Sequence, residues 1–375
     1  PAGAQTIDLK GKTVIPGIIN LHGHVGNVKG LVQDDKFFTL QNIEDNLALY
    51  ARYGVTGTTS MGSDTDDQML KVQQRQKDGE LIGARVYTAL QGFTVPGGYP
   101  TQAPGMKAVV NEVSTAAQAR TKVDQLAAKR PQIVKMWVDS HHGKMKKIPP
   151  DLYSAIIDQA HKHKLLTAAH IYELSDAKSL AKAGIDIIGH SVRDAVVDAE
   201  AISLLKSNNV TYVPTLTREV STFVYAGNPE WLNDPFFTKS VSPEVIQGVK
   251  TTLKATQQKD PELEINEKGL GVAKTNVKKL WDGGVRVGFG TDTGPPGRFP
   301  GFFEHMEMEL MIDSGLTPMQ VIQSFSKNAA DALRISKDFG TLEKGKFAAL
   351  VVLAKNQIEH IRNSRTITSV YIGGK

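Results

Sequence analysis

The sequence contains no cysteine among its 375 residues. This absence excludes disulfide bonds, thiolate zinc sites and cysteine nucleophiles, and it leaves His, Asp, Glu and Lys as the strong metal ligands that the chain can offer. No apolar run is long enough to cross a bilayer, so no membrane segment is predicted. Basic residues exceed acidic ones by 44 minus 39, or five, without a basic tract, which argues against a nucleic-acid partner.

The bulk composition, 40% hydrophobic and 22% charged, is typical of a soluble globular protein. The length suffices for one large domain and a small satellite. The chain begins at Pro1 without a methionine, so we expect it to be processed or incompletely represented. The compartment therefore stays open between the cytoplasm and, if a signal peptide was removed, the periplasm or the exterior.

Predicted strands and helices alternate along most of the chain. The predicted strands are 17–24, 55–61, 85–90, 133–138, 165–170, 185–190, 210–216 and 285–290. The predicted helices are 66–77, 114–130, 151–164, 176–183, 198–207, 272–281 and 306–314, with Gly184 marking one helix end. Eight strands alternating with helices imply an α/β fold, and a closed (β/α)8 TIM barrel is the economical solution.

Both ends of the chain predict a second, smaller unit. Residues 5–16 read as two short strands joined by a turn, and the strands 350–353 and 366–372 follow the turn at 340–345. We expect these segments to pair in a small, discontinuous β-sandwich-like domain, residues 1–16 and 341–375, beside a barrel of residues 17–340. An exposed sheet edge there favours a homo-oligomer.

Two connections are longer than plain turns, residues 92–111 and 218–271. Both follow strands, at the end where barrels carry out chemistry, and long loops there are often lids or pocket walls. The second connection is rich in aromatic residues: Phe223, Tyr225, Trp231, Phe236 and Phe237. These side chains could wall a substrate pocket, or they could pack the connection onto the barrel.

The first barrel strand ends in His22, Gly23 and His24. Residues i and i+2 of a strand point to one face, so the two imidazoles converge, and Gly23 allows the main chain to pass close to whatever they hold. A lone histidine is most often an ordinary partly buried residue. A pair on one face of a buried strand favours metal binding.

Other strands also end in side chains that can bind a metal. Lys135 lies on the fourth strand, His170 and His190 end the fifth and sixth, and Asp292 follows the eighth. Each has an ordinary explanation: Lys135 could pair with Asp139, His170 could close a helix, and Asp292 could cap a turn. Their coincidence at one rim of one barrel favours a shared site.

This pattern resembles the amidohydrolase superfamily: His-x-His on strand one, lysine on strand four, histidines ending strands five and six, and aspartate at strand eight. The resemblance extends to the turn 340–346. The segments 148–151, 160–163 and 214–216 resemble the branch of imidazolonepropionase-related proteins, prolidase-like dipeptidases and ochratoxin-hydrolysing amidases. Two departures are Ala349, where the family usually has an aspartate, and strands expected before Pro1, without which the small domain is incomplete.

The resemblance implies two divalent ions. It makes His22, His24 and Asp292 ligands of one ion and His170 and His190 ligands of the other. It makes Lys135, carboxylated by carbon dioxide, the bridge. Nitrogen and oxygen ligands suit zinc best, although manganese, cobalt and iron use them too. The nucleophile would be a hydroxide shared by the ions, with Asp292 as the catalytic residue that takes its proton and passes it to the leaving nitrogen.

The function implied is a binuclear metal-dependent hydrolase that cleaves an amide bond in a small-molecule substrate, dipeptide-like or N-acyl amino acid. A mononuclear cyclic-amide hydrolase or deaminase is an alternative that would not need Lys135. A lactonase or phosphotriesterase-like enzyme could use the same site. A barrel retained as a non-catalytic binding module would be expected to have lost a ligand.

Three further residues are candidates for substrate binding. Arg193 could hold a substrate carboxylate or form a surface ion pair with Asp194 or Glu219. Tyr172 could donate to an oxyanion or line the pocket, and Trp137 could form an apolar wall.

Five other polar residues receive no catalytic role. His141 and His142 are expected to be mostly solvated, in a loop after strand four. Glu304, His305 and Glu307 open a helix, where acidic side chains interact favourably with the helix dipole.

Overall fold

The computed structural model describes residues 6–80 and 83–374. The strands are β1 Thr13–Pro16, β2 Ile18–Gly23, β3 Val28–Lys29, β4 Val32–Gln33, β5 Val55–Ser60, β6 Arg85–Thr88, β7 Gly92–Thr94, β8 Val110–Glu112, β9 Ile133–Val138, β10 Leu166–Ile171, β11 Ile187–Gly189, β12 Thr211–Val213, β13 Arg286–Val287, β14 Leu350–Leu353 and β15 Ile367–Tyr371. The helices are α1 Leu40–Arg52, α2 Asp66–Lys77, α3 Ala116–Ala127, α4 Pro150–Lys162, α5 Leu174–Ala183, α6 Ala199–Ser207, α7 Leu216–Ser221, α8 Pro235–Thr238, α9 Pro243–Gly248, α10 Lys254–Gln257, α11 Leu263–Asp282, α12 Phe302–Asp313, α13 Pro318–Gln323 and α14 Ala329–Ala332. None of the helices in these residues combines the length and apolar character needed to cross a membrane.

The barrel consists of parallel strands that close into a ring. One run pairs β2 with β5 and β5 with β6, and the other runs from β7 through β9, β10, β11 and β12 to β13. Gln132 N donates to Thr88 O at 3.0 Å and joins the runs on one side, and Leu21 N donates to Phe289 O at 2.8 Å on the other. With β7 continuing the line of β6, these strands form the predicted TIM barrel, and the predicted fold class is confirmed.

The barrel strands are buried on both faces, as their near-continuous apolar or small residues predict. Every residue of β2, β5, β9 and β10 is buried. One set of side chains, including Leu21, Leu166 and Val213, forms one cluster, and a larger cluster contains the buried faces of the helices. This rigid double layer fixes the positions at which the strands end.

The helices mostly follow the sequence periodicity. On α4 an apolar stripe at helical spacing, Leu152, Ile156, Ile157 and Ala160, is buried, and Gly184 ends α5 in the left-handed conformation with φ of 91°. The helices α8 to α10 within the connection 218–271 were not predicted, and α11 begins at Leu263 instead of residue 272. Helix α1 was not predicted either. It begins after Thr39, whose side chain accepts a hydrogen bond from Asn42 N, and it buries Ile43, Leu47 and Tyr50.

Several predicted strands are shorter in the structure; of the strand predicted at 285–290, for example, only Arg286–Val287 is a strand. Two differences have an evident cause. Residues 6–9 form no strand; Asp8 Oδ1 instead accepts from Lys10 N at 2.9 Å, a local turn available to an exposed aspartate without a neighbouring strand. The strand predicted at 210–216 stops at Val213. Thr215 adopts a left-handed φ of 49°, and α7 begins at Leu216 because Glu307 accepts hydrogen bonds from the amides of Leu216 and Thr217.

The ends of the chain meet in a three-stranded antiparallel sheet of order β1, β14, β15. Thr13 lies opposite Leu353, and Leu350 lies opposite Tyr371. Residues 1–5 and 375 of the predicted small domain lie outside the described residues. The division into two domains and the oligomer expected from the sheet edge stay predictions.

Barrel closure predicts a strong effect of one added methyl group. At Gly290, a Cβ atom would lie 2.6 Å from Val213 Cγ1 and 2.9 Å from the main-chain nitrogen of His22. We expect Gly290→Ala to lower the free energy of unfolding by about 1–3 kcal/mol, the usual cost of overpacking. Urea denaturation measures it.

The matched control is Gly271→Ala on the exposed side of α11, where a Cβ atom would meet nothing within 4 Å. There the substitution should raise the free energy of unfolding by about 0.5–1 kcal/mol, because alanine favours the helix. Equal effects of the two substitutions would contradict the packing argument.

Candidate metal centre

The structure brings the six predicted ligand residues to the carboxyl ends of the barrel strands. His22 lies on β2 and His24 just after it, Lys135 lies on β9 and His170 on β10, His190 follows β11 and Asp292 follows β13. All are buried except His24, which is partly exposed. Parallel strands end at one face of a barrel, so residues far apart in sequence meet there.

Three of these side chains surround one point. Asp292 Oδ1 lies 3.0 Å from His24 Nε2 and 3.5 Å from His22 Nε2. One ligand atom from each residue fits within 4.8 Å of the others. This set of two imidazole nitrogens and a carboxylate oxygen is suited to a divalent transition metal.

His170 and His190 lie next to this group and are held by their outer ring nitrogens. The His22 and His190 rings are 4.4 Å apart between centroids, and the His190 and His170 rings are 4.3 Å apart. His190 Nδ1 contacts Thr215 Oγ1 at 2.7 Å, and His170 Nε2 contacts Asp139 Oδ2 at 2.8 Å. One nitrogen of each ring is thereby left for a ligand, and such second partners orient metal-binding histidines.

Three imidazoles of the centre, those of His22, His170 and His190, are kept neutral. Burial lowers the pKa of His170 to about 3 and lowers the pKa values of His22 and His190 well below the ordinary range. Burial acts against ionisation of Asp139, but the hydrogen bond from His170 and the nearby basic groups, including Arg193, together outweigh it and hold the pKa of Asp139 well below its usual value. Neutral imidazole is the form that binds metals.

Lys135 lies among these histidines, fully buried. Its Nζ is 3.3 Å from His22 Nε2, and burial lowers the pKa of its amine to about 7. The pairing with Asp139 that the sequence left open does not form, because Asp139 contacts His170 instead. A neutral lysine amine is a nucleophile and can take up carbon dioxide as a carbamate.

Asp292 is held from both sides. Its Oδ2 atom pairs with Arg298, whose Nε also donates to Ser221 Oγ at 3.0 Å. Burial alone would raise the pKa of Asp292, but the charge of Arg298 and the hydrogen bond with His24 hold it well below its usual value. The main chain of Asp292 is left-handed with φ of 58°, a costly conformation away from glycine that is often found at functional sites.

A cavity of about 100 Å³ opens over the centre. Besides four histidines and Asp292, its wall includes Tyr99, Met106, Trp137 and Arg298. Tyr99 comes from the long connection after β7, with its ring 5.2 Å from that of His170. Tyr99 and Arg298 were not predicted as site residues; Tyr99 lies in the long connection 92–111, and Arg298 lies between β13 and α12.

The sequence profile of the amidohydrolase family matches residues 13–375 of this chain. The chain belongs to the amidohydrolase family. The resemblance inferred from the six residues is therefore confirmed at family level. No curated protein sequence matches the chain.

Solved structures with the same fold have low sequence identity. A Xaa-Pro dipeptidase with bound methionine is 21% identical, with a TM-score of 0.77 over 98% of this chain and 87% of the other. The A. niger ochratoxinase is 16% identical, with a TM-score of 0.75 over 96% and 82%. A molinate hydrolase is 17% identical, with a TM-score of 0.75 over 100% and 85%. These likenesses show the fold alone.

The three residues predicted to bind substrate, Trp137, Arg193 and Tyr172, differ in their access to the cavity of this amidohydrolase. Trp137 lines it, and its indole occupies the space left by glycines 62 and 92. Arg193 is buried behind the centre, where its Nε lies 3.2 Å from Glu219 Oε2 and its guanidinium is 4.6 Å from the centre of the Tyr172 ring. The ion pair left open for Arg193 is thus the one with Glu219, but it is buried rather than superficial. Substrate binding by Arg193 and Tyr172 stays a prediction.

Two expectations about the remaining polar residues are only half right. His142 is exposed, but His141 is partly buried with its ring 4.2 Å from that of Tyr99. Glu304 and His305 lie in the first turn of α12 and Glu307 in the second. All three are buried, and each forms hydrogen bonds that the helix position alone does not reveal. Burial raises the pKa of Glu304 to about 7 and of Glu307 to about 8.

None of the five aromatic residues of the long connection lines the cavity, and four of them, all but Phe223, pack in a separate cluster. Tyr225 and Phe237 are buried in a separate cluster with Phe299, Phe302 and Phe303, and Trp231 stacks against it. The alternative left open by the sequence, packing of the connection onto the barrel, describes these side chains.

The orientation of His170 gives a prediction. Asp139→Asn keeps the side-chain shape but removes the negative charge that fixes the Nε2 proton of His170. We expect zinc affinity, measured by competition with a chelator, to fall about 10- to 100-fold. Asp151→Asn, at an exposed position in the first turn of α4, is the control and should leave affinity unchanged. Unaltered zinc binding in Asp139→Asn would refute the orienting role.

Proposed function

We propose that this amidohydrolase is a binuclear metal-dependent hydrolase that cleaves an amide bond of a dipeptide-like or N-acyl amino-acid substrate. The observation that carries the proposal is the convergence of six side chains: His22, His24, His170, His190 and Asp292 line one small cavity, and the amine of Lys135 lies against His22. Family membership supports hydrolysis. The number of metal ions and the substrate do not follow from family membership and are part of the proposal.

The donor set fits two zinc ions. His22, His24 and Asp292 would hold one ion, and His170 and His190 would hold the other. Lys135, whose Nζ lies 3.3 Å from His22 Nε2, would supply the bridge as its carbamate. An unmodified ammonium would repel two dications, whereas a carbamate presents two anionic oxygens. The lowered pKa of Lys135, about 7, leaves much of the amine free to take up carbon dioxide near neutrality.

Bound zinc supplies polarisation of a carbonyl oxygen and a lowered pKa of water. The chain's own part is to position groups and move protons. Asp292 is ionised at neutral pH, so its Oδ1 atom, on the side of the two histidines, can accept a proton from water and return it to the leaving nitrogen. Tyr99, Met106 and Trp137 enclose the acyl group and limit the access of bulk water.

A cation in the cavity wall supports a substrate with a free carboxylate. The guanidinium of Arg298 lies beside Asp292, so an anionic group next to the scissile amide would be attracted to this wall. The small volume of the cavity, about 100 Å³, favours a compact acyl portion over a large aromatic one.

The first test concerns the metal. Elemental analysis after mild dialysis should give about two zinc equivalents per chain, as two-metal sites require. Removal by a chelator should abolish amide hydrolysis, and added zinc should restore it. A ratio of one with full activity would contradict the binuclear proposal.

The second test concerns Lys135. Wild-type protein with ¹³C-bicarbonate should show a carbamate carbon resonance that Lys135→Ala lacks, and the variant should lose at least about 100-fold in kcat because the bridge is gone. Short carboxylates should restore part of the activity. Lys129→Ala, on the surface, is the control. Turnover by Lys135→Ala at the wild-type rate would refute the bridge.

The third test is a substrate screen at fixed zinc. N-acyl amino acids and dipeptides should be turned over, and each free acid should have a lower KM than its C-terminal amide, because Arg298 attracts the carboxylate. Turnover confined to lactones or phosphotriesters would overturn the amidase proposal and leave the metal site standing.

A further inference from the structure

A buried carboxylate outside the ligand set gathers hydrogen bonds from both loops that carry the His22, His24 and Asp292 group. Glu304, in the first turn of α12, has no solvent exposure. Its Oε1 atom accepts from Asn20 Nδ2 at 2.7 Å, Thr291 Oγ1 at 2.8 Å and Thr293 Oγ1 at 2.9 Å. Its Oε2 atom accepts from Gly301 N at 2.6 Å.

The donors in this network are assigned by counting protons. Asn20 offers two N–H groups, and they reach Glu304 Oε1 and Thr291 Oγ1. Tyr50 lies 2.6 Å from Thr293 Oγ1 and can donate to it, since the hydroxyl hydrogen of Thr293 is used on Glu304. All three side chains therefore point their hydrogens at one oxygen, which acts as an acceptor only.

The three side-chain donors to Glu304, unlike Gly301, contact or flank the main-chain segments that carry His22, His24 and Asp292. Asn20 Oδ1 accepts from His22 N at 3.0 Å. Thr291 and Thr293 flank Asp292, and His24 N donates to Thr293 O at 2.7 Å. Asp292 N donates to His22 O at 2.7 Å, so the two loops are also joined to each other. The left-handed backbone of Asp292 is thus held on both sides by threonines bound to one carboxylate.

We infer that Glu304 is a positioning residue that sets the placement of Asp292 relative to His22 and His24 through Asn20, Thr291 and Thr293. The inference rests on the proposed metal-dependent function for its consequence. Glu304 therefore does more than interact with the helix dipole, which is the role that its place in the sequence predicts. Glu307, one turn further along α12, accepts hydrogen bonds from the amides of Leu216 and Thr217 and so holds the start of α7.

The central variants are Thr293→Val and Glu304→Gln. Thr293→Val removes the hydroxyl with little change of shape, and Glu304→Gln must turn an amide N–H either towards Gly301 N or towards the three donors. We expect zinc affinity at the His22 group to fall about 10- to 100-fold, and the visible spectrum of the cobalt-substituted protein to change. Thr293→Ser keeps the hydroxyl and should retain most of the affinity.

The structural control is His305→Gln. His305 is the next residue on the same helix, equally buried, but its ring contacts Ser364 Oγ at 2.8 Å and Tyr53 O at 2.9 Å, away from the ligand loops. This variant should lower the unfolding temperature without changing zinc affinity or the cobalt spectrum. If it weakens zinc binding as much as Thr293→Val does, the effect is general destabilisation and the inference is overturned.

A metal-free measurement separates this inference from the proposed function. In hydrogen exchange of the chelator-treated protein, Thr293→Val should speed exchange of the amides in residues 18–24 and 289–294 at least about 10-fold, with residues 166–171 unchanged. Wild-type protein that binds no zinc would sink the proposed function. If the wild-type protein binds zinc but Thr293→Val leaves either the exchange rates in both segments or the zinc affinity unchanged, the positioning role of Glu304 is refuted.

Discussion

The closure of the barrel between β2 and the segment after β13 is the constraint on which the rest of the site depends. Asp292 N and Leu21 N donate across this seam to His22 O and Phe289 O. Gly290 allows the approach, because a side chain there would collide with Val213 and with the main chain of His22. If the seam opened, Asp292 would separate from the two histidines, and the other strand ends would keep only part of the ligand set.

Closing the seam buries charged groups, and the structure gives them partners. Asp292 pairs with Arg298, Asp139 with His170, and Glu219 with both Arg193 and Arg218. An unpaired ion in such surroundings would cost several kcal/mol, about the size of many proteins' net stability. The partners also fix orientation, since a carboxylate that neutralises a neighbour allows only a few side-chain positions. The electrostatic requirement and the geometric requirement of a ligand shell are met by the same contacts.

The sequence was a good guide where the physics is local. A period of 3.6 residues located the helix Asp66–Lys77, and a short, nearly continuous apolar run located the strand Ile133–Val138, each with its bounds. They failed where tertiary contacts override propensity. The stretch after Val213 looks like a continuing strand, but amide hydrogen bonds to Glu307 turn it into α7. Residues 6–9 look like a strand but have no neighbouring strand to pair with.

The same division applies to the site. The sequence by itself determined that His22 and His24 share a face, because strand geometry places residues i and i+2 together, and that strand ends carry Lys135, His170, His190 and Asp292. Only the tertiary structure decided what holds them. Arg193 could serve a substrate or an ion pair on sequence grounds, and the burial of Glu219 beside it produced the pair. The contacts of Asp139 with His170, of Arg298 with Asp292 and of Glu304 with Thr291 and Thr293 join separate elements, and no local spacing predicts which side chains will meet across a closed barrel.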